Sequence, residues 1–176
     1  MKTIKRIISV LLVTLTIVSC FSMQASAFSK VSEIKGSSPK YGQKNQYFYV
    51  HTDNAKKSYT LTMKQTTKGV FYCNTFGCQK KLYGYYEILV YTKDSGGKFT
   101  KLVGTKKNIK NVGSATITIP AGATEYMVKV WSWNTSTIAA QQETTFSAAF
   151  DDNSYWTTCP AFKITAPWGC KLSNVA

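Results

Sequence analysis

Apolar and polar residues alternate with a period of two over most of this chain, and nothing else in the sequence limits the fold as strongly. Successive side chains of an extended strand point to opposite faces, so alternation describes a strand with one face in a core and one in solvent. Within Ser58 to Thr66, Tyr59, Leu61 and Met63 share one face and Thr60, Thr62 and Lys64 the other. Ile117 and Ile119 oppose Thr116 and Thr118, and the pattern returns in Thr145 to Phe150 and in Ala161 to Thr165. Tyr85 to Thr92 is apolar on both faces, which predicts an interior strand covered on both sides. Further strands are expected at Gln46 to His51, Phe99 to Val103 and Glu125 to Asn134, with turn formers such as Asp94-Ser95-Gly96-Gly97 between segments. Beyond the first 27 residues no segment keeps a 3.6-residue apolar period. The expected class is therefore all-β, a single antiparallel β-sandwich of about eight strands.

The N-terminus has the three parts of an export signal. Lys2, Lys5 and Arg6 precede an apolar run from Ile7 to Val18, and Ala25-Ser26-Ala27 supplies a small-x-small cleavage site. The run rises only ~18 Å as a helix, against a hydrocarbon core of ~30 Å, so no transmembrane segment is expected in the mature form. Residues 1–27 are read as a signal peptide, 28–44 as a loosely structured lead-in, and 45–176 as the β-sandwich domain. Ile17-Val18-Ser19-Cys20 offers a second processing site, at which Cys20 would become a lipid anchor.

Removing Lys2, Lys5 and Arg6 from the 22 cationic residues leaves 19 lysines against 8 acids, a mature charge of +11. Such a field favours anionic partners, among them envelope polymers. Lysine is a hydrated point charge without the planar fork that reads base edges, so sequence-specific nucleic-acid recognition is not expected. Export makes disulfides the default for the mature cysteines. Cys73 and Cys78 enclose four residues with Asn74 and Gly77 as turn formers, and Cys159 and Cys170 flank a Pro-rich loop, so 73–78 and 159–170 are the expected pairs. Neither a metal site nor a cofactor is expected: a zinc site would usually show a C-x2-C spacing.

Ile117-Thr-Ile-Pro-Ala-Gly122 followed by Glu125-Tyr-Met-Val-Lys-Val130 resembles the strand, turn and Tyr-x-Val-x-Val strand of accessory β-sandwich modules. Those include pre-peptidase C-terminal, fibronectin type III-like and carbohydrate-binding modules. The resemblance implies a jelly-roll or immunoglobulin/fibronectin-like sandwich and carries over no binding residue. The acidic strand of the pre-peptidase type is absent.

Chemistry is most legible in Glu125 to Asn134. With Tyr126, Val128 and Val130 in the core, Met127, Lys129, Trp131 and Trp133 share the opposite face. Two indoles on alternate residues, with a cation beside them, make a platform on which sugar rings stack, and Tyr85 and Tyr91 would extend it from a neighbouring strand. The competing expectation is that the C-terminal Trp156, Phe162 and Trp168 fold over this face and bury it. Phe76 would sit at the tip of the 73–78 hairpin, either for a partner or tucked back onto the sheet.

No catalytic residue is assigned. His51 is the sole histidine and has no nucleophile near it in sequence. Asp151-Asp152-Asn153 is read as a turn rather than a calcium loop. Glu87 could pair with Glu125 or Glu143 only by arithmetic. Asn134-Thr135-Ser136 matches a glycosylation sequon and is read as a chance loop, because the processing signals are of bacterial type. The expected function is a secreted, non-catalytic binding protein that engages a glycan or an anionic envelope polymer. The alternatives are a secreted effector acting at anionic membranes or walls, and a structural or adhesive surface subunit.

Overall fold

A computed structural model of the chain describes residues 30–40, 42–73, 78–104, 107–110, 112–134 and 155–174, apart from the side chains of 73, 78, 80, 107, 133, 134 and 155. Among the described residues there are thirteen strands and no helix. They run β1 (Glu33–Ser37), β2 (Gly42–Thr52), β3 (Tyr59–Thr67), β4 (Gly69–Cys73), β5 (Cys78–Leu82), β6 (Tyr85–Lys93) and β7 (Phe99–Leu102). The chain continues through β8 (Lys107–Lys110), β9 (Ser114–Ile119), β10 (Glu125–Asn134), β11 (Tyr155–Thr158), β12 (Ala161–Thr165) and β13 (Cys170–Ser173). The signal segment with Cys20, the strand expected at Thr145 to Phe150, Phe76, Glu143, Thr135, Ser136 and Asp151 to Asn153 lie outside the described residues.

The strands form three antiparallel sheets. One has the order β1-β12-β3-β9, and a second β13-β2-β10-β6-β7 with β8 also on β6. The small third sheet is β11-β4-β5. Alternation sends one face of the longer strands of the first two sheets into one core. Phe48, Val50, Tyr86, Ile88, Val90, Ile109, Tyr126, Val128 and Val130 meet Leu61, Met63, Ile117, Ile119, Phe162 and Ile164 there. Of the faces read from the sequence, those of Leu61 and Met63, Ile117 and Ile119, Phe162 and Ile164, and Tyr126, Val128 and Val130 are buried, while Tyr59 is half-buried. Phe71, Leu82 and Trp156 make a separate small core under the third sheet, with Phe71 edge-on to Trp156 at 5.2 Å.

Three departures from the sequence reading have physical causes. Residues 33–37 are a strand rather than a loose lead-in, laddered to β12 from Glu33↔Thr165 to Ser37↔Ala161. Like β8 and β11, β1 contributes one buried apolar side chain among those described, and a single such residue carries no period. It accounts for three of the strands without an expected counterpart, which are β1, β4, β5, β8, β11 and β13. Tyr85 to Thr92 is an interior strand, but its outer face is only partly covered: Tyr85 is buried, whereas Leu89 and Tyr91 are half-buried.

The third departure is the 159–170 disulfide. Both cysteines are free thiols. Cys159 lies beside Tyr86 at the Ser37 end of β12, while Cys170 pairs with Thr52 after β12 has run the length of its sheet. Five residues of extended strand span ~13 Å, beyond the Cα separation of ~4.4–6.8 Å that a disulfide requires. Burial pushes the Cys170 thiol up to about 11, which keeps it protonated. Cys73 and Cys78, by contrast, are direct cross-strand partners in the β4–β5 ladder.

The turn that the resemblance singled out is held by one hydroxyl. The Tyr126 phenol accepts the Ala123 N–H at 2.9 Å and donates to the Pro120 carbonyl, tying the start of β10 to the turn before it. A tyrosine bonded back to upstream backbone in this way recurs at strand corners of immunoglobulin-type sandwiches.

Candidate functional site

The outer face of the six-stranded sheet carries the residues that the sequence singled out. Because β10 lies between β2 and β6, its outward residues form rows with theirs. Trp131 stands between Asn45 and Glu87, Lys129 between Tyr47 and Leu89, and Met127 between Tyr49 and Tyr91. Glu125 faces His51 at the far end.

Trp131 is half-buried, neither covered nor fully displayed. Its indole N–H donates to Gln43 Oε1 at 3.3 Å, and Tyr85 meets its ring at 6.4 Å and 79°. An edge-to-face pair of this kind is a favourable aromatic geometry that fixes the indole. Lys110 lies over the other aromatic, 5.6 Å from the Tyr85 ring centre. Gln43, Asn45, Glu87, Lys129 and Trp131 line a shallow depression of about 370 Å³. An aromatic wall with an amide, a carboxylate and an ammonium on its rim can stack an apolar ring face and hydrogen-bond hydroxyls around it.

Of the expected site residues, the structure brings Lys129, Trp131 and Tyr85 together. It separates Tyr91, which lies four residues further along β6 than Glu87, ~13 Å along the strand. Backbone register puts Trp133 opposite Gln43; its side chain lies outside the described residues, and with it the coplanar pair of indoles. The cover proposed for this face goes elsewhere. Trp156 is buried in the third sheet and Phe162 in the main core, and Trp168 is 93% exposed. Sequence reasoning missed Gln43 and Asn45, which come to Trp131 only through the pairing of β2 with β10.

The other end of the face is electrostatic. Lys93 and Glu125 form an ion pair, and His51 places Nδ1 3.6 Å from Glu125 and Nε2 2.9 Å from Ser173 Oγ. Lys93 holds the Glu125 carboxyl below the usual carboxylate range, with burial opposing. Burial, reinforced by Lys30, lowers the His51 pKa, and Glu125 opposes it. Glu87 and Glu125 are set six β10 positions apart by register, ~20 Å, whereas paired glycosidase carboxylates lie ~5–9.5 Å apart. Among the described residues no group of three or more His, Cys, Asp or Glu side chains is placed to hold a metal ion. No helix among them is long and apolar enough to cross a membrane.

No family model and no curated protein matches this chain. Among solved structures, it is similar to a family 35 carbohydrate-binding module from an environmental isolate, at 10% identity and a TM-score of 0.36, covering 84% of this chain and 94% of that one. A pre-peptidase C-terminal domain of collagenase from Bacillus anthracis aligns at 12% identity and a TM-score of 0.33, over 78% and 89% of the two chains. A third likeness is to disulfide-linked pili described as Bacillus endospore appendages, at 11% identity and a TM-score of 0.32, over 84% and 87%. All are β-rich, and likeness at this level transfers no binding residue.

Proposed function

We propose that this chain is a secreted, non-catalytic binding protein that engages a glycan or an anionic envelope polymer through the outer face of β2, β10 and β6. In this reading the two larger sheets form a β-sandwich that serves as a rigid support, and the facing Cys73 and Cys78 are bonded to stiffen the β4–β5 hairpin. The observation that carries it is the seating of Trp131: an indole fixed by Gln43 and Tyr85, with Lys129 and Glu87 on the rim of one depression. A prefixed aromatic loses little ordering entropy on binding, so its stacking energy is retained. The lysine excess supplies encounter rate, and with it a dependence on salt.

The test is co-sedimentation of the mature protein with insoluble polysaccharides and with cell wall that retains its anionic polymers. Binding should fall in Trp131→Ala and be abolished when Trp133→Ala is added. A double variant that sediments like the parent protein would remove the stacking surface from the account.

A further inference from the structure

A second surface lies at the opposite end of β2, built around Trp168. Among the described residues this is the most exposed large apolar side chain, at 93%. Its backbone is not loose. Pro167 to Cys170 form a turn closed by the Cys170 N–H on the Pro167 carbonyl at 3.1 Å, with Gly169 at φ +84°. Those features describe a type II turn with Trp168 at its second position. The turn is docked on the sheet as well, because the Asp53 N–H donates to the Gly169 carbonyl at 2.9 Å. A Cβ at position 169 would meet the Asp53 carboxylate at 2.8 Å, so the approach is close as well as bonded. The chain thus fixes where the indole stands while leaving its ring in solvent.

The turn walls a cleft of about 500 Å³, lined among others by Lys30, Ser32, His51, Asp53 and Lys171. Reciprocal backbone hydrogen bonds between Val31 and Leu172, at 2.8 and 2.7 Å, hold Lys30 next to β13, and Lys171 is the register partner of His51. Both lysines are exposed. Asp53 is the one acid in the lining, and its carboxylate accepts the Tyr59 hydroxyl, whose pKa is pushed up to about 12. The imidazole nitrogens of His51 are directed to Ser173 and Glu125. What remains for a ligand is an indole face and two ammonium groups.

We infer that this cleft binds an acidic sugar unit, a uronate whose ring stacks on Trp168 and whose carboxylate is taken by Lys30 and Lys171. Stacking needs an aromatic held in place with its face open, which the turn provides. Lysines on flexible stems meet an anion without demanding one fixed geometry. The cleft shares no lining residue with the Trp131 depression, so either surface can fail alone.

The experiment is calorimetric titration of the mature protein with a galacturonate hexamer, with cellohexaose as the neutral ring control and inorganic polyphosphate as an anion without rings. The galacturonate oligomer should bind and cellohexaose should not. Trp168→Ala should weaken uronate binding by roughly tenfold or more, and Trp168→Phe should restore most of it. Lys30→Gln with Lys171→Gln should weaken it and flatten its salt dependence. The same loss of charge at the exposed Lys35 and Lys64 should do neither. A ring this exposed contributes little packing, so Trp168→Ala reports on binding rather than folding. Absence of uronate binding, equal binding of cellohexaose, or an unchanged affinity in Trp168→Ala would each overturn the inference. Uronate binding lost in Trp131→Ala but kept in Trp168→Ala would overturn this cleft and leave the β2–β10–β6 reading standing.

Discussion

Two buried tyrosines should respond in opposite ways to the loss of a single oxygen. Tyr126 and Tyr86 are 1% and 0% exposed, and both rings sit in the main core. The Tyr126 hydroxyl bonds the Ala123 N–H and the Pro120 carbonyl. The Tyr86 hydroxyl is buried near Ser38, and neither oxygen has a partner at hydrogen-bonding geometry among the described residues; burial raises the Tyr86 pKa well above the ordinary phenol value, with Ser38 opposing. Tyr126→Phe removes two hydrogen bonds worth ~1 kcal/mol each and strands their backbone partners in a half-buried turn, so it should cost about 2 kcal/mol. For a domain of this size that is a fall in Tm of roughly 4–8 °C. Tyr86→Phe keeps the edge-on contact with Phe162 at 5.0 Å and removes a desolvated hydroxyl, so it should lie within ~0.5 kcal/mol of the parent or stabilise it. The two sites stand six β10 positions apart, ~20 Å, so the double variant should equal the sum of the singles. Urea unfolding followed by far-ultraviolet circular dichroism measures all three. A Tyr126→Phe loss below ~0.5 kcal/mol, or a Tyr86→Phe loss above ~1 kcal/mol, would refute the reasoning that partnered and orphan hydroxyls differ.

Gln65 is buried and bridges two loops, with Nε2 on the carbonyls of Val112 at 2.8 Å and Gly84 at 3.2 Å and Oε1 accepting the Gly84 N–H at 2.7 Å. Gln65→Leu should cost about 2–4 kcal/mol and raise amide exchange at Gly84; an unshifted urea midpoint would show that water replaces the side chain. His51 has a folded-state pKa below its ordinary value, so the folded state resists protonation of the ring. Its contribution is therefore present above the ordinary imidazole pKa and lost as pH falls through that range, and His51→Gln should flatten stability between about pH 7 and pH 5. Identical slopes in thermal melts of the two proteins would argue against it.

Period-two patterning carries the fold class because it is a local property, written in consecutive residues. It therefore named the buried stripe of β10, the Leu61 and Met63 face of β3, and the outward position of Lys129 and Trp131 before any contact was known. It was silent on β1, β8 and β11, each with one buried apolar residue among the described side chains and hence no period. Cysteine spacing was no better a guide where the chain between the cysteines is an extended strand, as Cys159 and Cys170 show.

Residues alone thus determined which side chains share a face, and the tertiary structure decided which faces meet. Gln43 reaches Trp131 across 88 residues of sequence, Tyr85 meets the same ring from β6, and Tyr91 on that same strand does not. Trp168, expected as a cover for that site, stands in solvent at the other end of the sheet because the Pro167–Gly169 turn points it there. Strand order and register depend on pairings between distant segments, and no short-range pattern encodes the choice of partner.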